Sequence, residues 1–479
     1  MSSDELTRRE TVGNWLRRSS LVLLSLALVL SSSSFRWVLI RRYPVDIIQE
    51  FSGLLLYISD IPMIAAIVLF FIAYYVDRKP LRTGPWYMTV PALILVILSM
   101  FSTFWAVRPE LAMETGVRTL LLFGVYLLAL NEAGRNRAFV FILMAGLFLQ
   151  SSVAVAQFIN QGYLGLPFLG ELPVGYRKVC RVYGLGWNPN HLGGFLAFVL
   201  PVVFAFYLRY SRIKASYVAT LAAFALGTAG LIVTGAHETW VGWILGLALM
   251  LFLIFKARPS PFPMRKLVLA LLVMACVWGF FAVRNPEVFT YRFAPLFSSE
   301  SSEAGSSEAG EGAEQSIVSK LDRYVLTGRL KQISESRQLI KEHPWGGVGA
   351  GNYVLAFHYL VDVMAFPYPI HNVPLLVTGE LGVLGGICWL MLVLSPFVYL
   401  VVNRRKVGKD AMLLGWSGTL LAIAIVSLMD NFTWNLPGGM VFFWATLGFW
   451  AGYAAQLTER APEQLMECPK RLTAVIKEG

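Results

Sequence analysis

A chain of 479 residues that is 56% apolar and only 14% charged, with a mean hydropathy of +0.61, is too apolar for one globular core, where about 25% charge is usual. A soluble enzyme is excluded. The net charge of +11 fits loops that fix orientation in a membrane and not a nucleic-acid surface. Cys180, Cys276, Cys388 and Cys468 are scattered without a CxxC pair, which leaves neither a disulfide framework nor a zinc site.

In chain order, the apolar stretches predict membrane helices at 19–40, 59–76, 86–105, 113–130, 138–159, 191–208, 216–235, 239–256, 266–283, 381–402, 411–430 and 438–456. Each is near the ~20 residues that cross a bilayer, and none alternates as a barrel strand does. Arg17 and Arg18 ahead of Leu21 to Leu30 resemble a signal peptide without an A-x-A cleavage site, so this segment is read as an uncleaved first span. Twelve crossings put both termini on one side. The termini and the loops 77–85, 131–137, 209–215, 256–266 and 403–410 carry 24 of the 40 Lys and Arg residues, which makes that side cytoplasmic.

Residues 1–283 thus hold spans one to nine, with a long outward loop at 160–190. Residues 284–370 form an extracytoplasmic helical subdomain, 371–456 the last three spans and 457–479 a cytoplasmic tail. SSEAG occurs twice at 301–310, so 298–314 is expected to be disordered. A helix is predicted from about Ile317 to Glu342, broken near Gly328 and stopped before Pro344. Gly346 to Asn352 reads as a flexible turn. Without a preceding strand and with the wrong spacing, its glycines do not make a nucleotide loop.

Candidate chemistry gathers at the outward ends of the spans. Arg177, Lys178 and Arg181 lie close to the start of a span, where cations suit an anionic ligand, and arginine suits a phosphate. Asn188, Asn190 and His191 open the sixth span, His237 and Glu238 form the turn between the seventh and eighth, and His371 and Asn372 lead to Glu380. One histidine at a membrane edge is ordinary; three at one depth below outward arginines suggest a site. No DxD, HxxxH or HExxH occurs, so no metal is expected. Glu114 and Arg118, four residues apart, read as a local ion pair.

Taken in order, four of these stretches resemble the O-antigen ligase and polymerase superfamily of bacterial membrane glycosyltransferases. They are Arg181-Val-Tyr-Gly with Asn188-Pro189-Asn190-His191; Val233-Thr234-Gly235-Ala236-His237; Gly328-Arg329 with His343-Pro344-Trp345 and the glycine run to Asn352; and His371-Asn372 with Glu380-Leu381-Gly382. Together they cover roughly 180–390. The resemblance implies a GT-C-type, all-α integral membrane fold. It implies transfer, without cofactor or metal, of a glycan from undecaprenyl pyrophosphate to an acceptor sugar hydroxyl at the outer face of the inner membrane. The acceptor would be lipid A-core or another surface glycolipid for a ligase, or a second lipid-linked repeat for a polymerase. By position, His371 matches the family's motif histidine and Arg329 its loop arginine. Where the family has Ser-Arg, this chain has Ala236-His237, so a second phosphate-binding cation falls to His237, Arg181, Arg177 or Arg323. Two other readings stand beside this one: a transporter of lipid-linked glycans, which would place ionisable groups nearer the midplane, and an inactive scaffold.

Overall fold

The computed structural model describes residues 3–42, 49–134, 137–172, 181–186, 188–210, 214–258, 264–286, 289, 330–358 and 368–466. It is a helical membrane protein. The long helices are α1 (Ser3–Leu30), α2 (Asp60–Asp77), α3 (Trp86–Phe101), α4 (Pro109–Glu132), α5 (Arg137–Ile159), α6 (Pro189–Tyr210), α7 (Lys214–Val233), α8 (His237–Ala257) and α9 (Met264–Arg284). They continue with α10 (330–342), α11 (Val373–Val407), α12 (Ala411–Met429) and α13 (Pro437–Met466). Among the described residues, nine helices are long and apolar enough to cross a membrane.

The hub is α6, whose sides are almost wholly buried, whereas α9 at the rim is mostly exposed. The principal packing pairs are α1 with α2, α12 with both α6 and α8, α13 with α4, and α11 with α3. Small residues make two of these contacts possible. Gly242 and Gly246 of α8 lie so close to α12 that an added Cβ would meet the Ala422 carbonyl at 3.0 Å and the Gly418 carbonyl at 2.6 Å. Gly448 and Gly452 of α13 meet the Tyr126 and Leu130 carbonyls of α4 in the same way. Lipid tails are as apolar as leucine, so close backbone approach, rather than the hydrophobic effect, holds such helices together.

Three expectations are corrected. The first helix stops at Leu30, not residue 40, because the serine run 31–34 ends it and Arg36–Ile40, rich in β-formers, pairs antiparallel with Leu54–Tyr57 as strands β1 and β2. Glu114 and Arg118 do not pair with each other. Arg118 makes a two-pronged bond to Asp60 at 3.0 Å on both prongs, and Glu114 is held by Arg42. The turn 346–352 is not loose. Gly347, Gly349 and Gly351 all have positive φ, and the loop lies along a break in α11: Val348 N–H donates to Gly379 C=O at 2.9 Å, Gly349 N–H to Glu380 C=O at 2.9 Å, and Val383 N–H to Pro344 C=O at 2.8 Å. The same loop is fastened to the α3–α4 connection, since Asn352 Oδ1 accepts Arg108 N–H at 2.8 Å and Ser102 Oγ accepts Ala350 N–H at 3.0 Å.

The break in α11 centres on Gly382, whose φ of 73° and ψ of −178° fall in a region essentially reserved for glycine. A Cβ there would also run into the Trp345 carbonyl. We expect Gly382→Ala to cost about 2–3 kcal/mol from backbone strain alone, read as a lower unfolding midpoint of the purified protein in detergent. An unchanged midpoint would contradict the loop-to-helix pairing. Of the predicted helix 317–342, the part 330–342 is present and ends at His343, ahead of Pro344; the part 317–329, Gly328 and the repeat 301–310 lie outside the described residues.

Candidate active site

Five segments meet at one end of the bundle: 181–186, the start of α6, the turn 234–238 between α7 and α8, residues 368–372 leading into α11, and the turn 430–436 between α12 and α13. Their local structure follows from their residue types. Asn188 stands before Pro189, a favoured first helical residue, and its Oδ1 caps α6 by accepting the Asn190 N–H at 2.8 Å. Asn372 caps α11 in the same manner, accepting the Leu375 N–H at 3.1 Å. These two asparagines, expected to bind substrate, are engaged in fixing helix starts.

With α6 thus anchored, Asn190 faces two charged partners. Its Oδ1 accepts from Arg181 Nη2 at 2.6 Å, and its Nδ2 donates to Asp430 Oδ2 at 2.8 Å. Asp430 Oδ1 accepts the Asn431 N–H at 2.7 Å and lies 3.4 Å from His371 Nδ1. A continuous chain, Arg181–Asn190–Asp430–His371, therefore links a guanidinium to an imidazole. Burial pushes the Asp430 carboxyl up, but the hydrogen bond and charge of His371, together with the Asn190 amide, outweigh it and hold the group down at about 2. Asp430 is a buried carboxylate, whereas the His371 side chain is 36% exposed. Its ring can reach solute.

Arg181 also ties in the 234–238 turn, donating Nε–H to the Thr234 carbonyl at 3.2 Å. Its aliphatic stem runs beside Gly235, so a guanidinium stands next to the Ala236-His237 position. His237 and Glu238 are buried, with the His237 ring 4.4 Å from that of Trp240. His191 is half-buried, its ring 5.2 Å from Phe432. Glu380 is a knot: its carboxylate takes Trp434 Nε1–H at 3.0 Å and the backbone N–H groups of Gly351 and Tyr353. It joins the glycine loop to the turn that carries Asp430. The structure thus unites Arg181, Asn190 and His371, with His191, His237, Glu238, Asn372 and Glu380 around them. Arg177, Arg323 and Arg329 lie outside the described residues.

Asp430 was missed in the sequence, where it counted only as the last residue of a span. Its signal is legible afterwards: a lone acid closing an apolar helix at the depth of three histidines, followed by Asn431. Among the described residues, no three His, Cys, Asp or Glu side chains are grouped so as to hold a metal ion. What the cluster offers is a fixed cation and an imidazole oriented by a carboxylate, the parts of an acid–base group-transfer site.

No curated protein matches the chain. Residues 222–390 match the family described as O-Antigen ligase, a segment that includes the 234–238 turn, the glycine loop, His371 and Glu380 but stops short of Asp430. Over that part of the chain the protein is similar to the O-antigen ligase/polymerase superfamily, whose activity is of the glycosyltransferase type.

Proposed function

We propose that this protein is an O-antigen ligase-like membrane glycosyltransferase. It moves a glycan from undecaprenyl pyrophosphate to a sugar hydroxyl of lipid A-core or another surface glycolipid, at the outer face of the bacterial inner membrane. The observation that carries this reading is the relay Arg181–Asn190–Asp430–His371. In the reaction, the bond from the anomeric carbon to the pyrophosphate oxygen breaks and a new bond to the acceptor oxygen forms with inversion. The acceptor proton passes to His371 Nε2, the ring nitrogen turned away from Asp430. Arg181 stabilises the charge that collects on the departing pyrophosphate, assisted by Arg329 of the long loop. Neither step calls on a metal or a nucleotide.

The arrangement that goes with this reading is twelve crossings of the GT-C type, with both termini in the cytoplasm. The helices alternate so that α1, α5 and α7 begin at the end opposite the site, where the basic loops 77–85 and 403–410 also lie. That opposite end holds a buried cluster in which Arg17 meets Asp77 and lies 3.9 Å from Glu132. Transport is the weaker reading, because the relay sits at one end of the bundle rather than along a path through it.

The test is transfer by purified protein from a defined undecaprenyl pyrophosphate glycan in the presence of EDTA. We expect product that depends on added acceptor and resists EDTA. Chain lengthening with donor alone would reassign the protein as a polymerase, and loss of activity with EDTA would remove the metal-free mechanism.

A further inference from the structure

A cavity lies beside the relay. Its volume is about 360 Å³, within the range of about 300–1,000 Å³ that small-molecule sites occupy. The β1–β2 hairpin forms one lip, the first turns of α2 and α4 form the walls, and Pro369, Glu380, Trp434 and Asn435 close the inner end. That inner end adjoins the relay, because Asn431, next to Asp430, donates Nδ2–H to the Pro369 carbonyl at 3.0 Å.

Three properties define what fits. Most of the lining is aliphatic, with leucines of β2 facing Val117 and Leu121 of α4, so an apolar chain is accommodated. The charged side chains at the wall are each matched by a partner: Arg118 by Asp60, and Glu114 by Arg42 behind it. Such a wall gives a pyrophosphate no uncompensated charge to bind. Finally, Asn435 presents both amide atoms, a donor and an acceptor, buried and without a hydrogen-bond partner. A buried amide left unpaired is costly and calls for a polar group to complete it. A sugar hydroxyl, donor and acceptor at once, meets both needs.

We propose that this cavity receives the acceptor, as an uncharged sugar carried on a lipid chain, while the pyrophosphate-bearing donor binds at the Arg181 end. The proposal rests on the glycosyl-transfer reading above and assigns the two substrates to different sides of Asp430 and His371. Asn435 then orients the acceptor sugar, and the hairpin and α4 hold its chain.

Two variants test it. Asn435→Ala removes the amide. Val117→Trp fills the cavity from a residue that is itself exposed, so the fold is preserved. Each should raise the KM for acceptor about tenfold, the effect of a lost polar contact, with the KM for undecaprenyl pyrophosphate glycan unchanged. A raised donor KM, or no change in either, would overturn the proposal. A binding readout separates it from the reaction itself. A photoreactive alkyl glucoside should label peptides within 109–132 or 432–440 of the full chain, less so in Val117→Trp. Absence of that labelling, or its suppression by undecaprenyl pyrophosphate, would return the cavity to the donor or to neither substrate. Should the wild-type protein transfer no glycan at all, the proposed function fails, while the labelling pattern still decides what the cavity takes.

Discussion

Replacing His371 by alanine should lower glycan transfer by about 10²–10⁴-fold, the range for loss of a positioned general base. The protein should remain folded, because the ring is partly exposed and its partner Asp430 is also held by Asn190 and the Asn431 backbone. Asp430→Asn keeps the shape but removes the charge that turns Nδ1–H inward. It should cost about 10²-fold or more, as when an imidazole is left in the wrong tautomer. The pH dependence separates these roles. Asp430 has a folded value of about 2 against an ordinary 3.8. Its contribution of about 2 kcal/mol to stability is therefore complete above pH 4 and lost as pH falls through 2. Between pH 5 and 8 the carboxyl does not titrate, so it adds no pH dependence of its own to stability over that range. Unfolding of wild type and Asp430→Asn should differ at pH 7 and converge toward pH 2. Full transfer by folded His371→Ala would eliminate the proposed base.

The second large effect concerns Arg181. Removing a preorganised cation from developing charge typically costs about 10²–10³-fold, and Arg181→Ala should show a loss of that size in kcat/KM for the pyrophosphate donor. Arg181→Lys should recover only part, because a single ammonium cannot serve Thr234 and Asn190 together as the guanidinium does. A purely structural role would instead show as a lower unfolding midpoint with kinetics per folded molecule unchanged. Measuring both on the same preparation decides between them. The position matters because the family's Ser-Arg is Ala236-His237 here, and Arg181 lies over that turn. Of the arginines named as replacements for the missing one, it is the one whose placement is described.

Much of this was open to inspection in the primary structure because the bilayer imposes a length on every apolar run. Helices at 60–77, 109–132 and 411–429 lie within a few residues of their expected spans. Polar groups at span ends pointed to the end of the bundle where Arg181, Asn190, Asp430 and His371 converge. What escaped notice depended on contacts distant in sequence. Spacing suggested Glu114 to Arg118, whereas the partners, Arg42 and Asp60, are 72 and 58 residues away. The strand at 36–40 looked like more of the first helix because both are apolar. The glycine run looked slack because nothing local reveals that an unwound stretch of α11 will pair with it. Asp430 was hidden by its place at the edge of a span, where an acid is unremarkable until Asn190 and His371 are seen on either side.

The near-complete burial of α6 bears on how the membrane acts on this protein. Asn190 rides on a helix with almost no surface in contact with acyl chains, so a thinner or thicker bilayer cannot pull on it directly. Hydrophobic mismatch is absorbed by tilting at the periphery, by helices such as α9. Turnover should accordingly tolerate changes in lipid chain length that alter the stability of the outer helices.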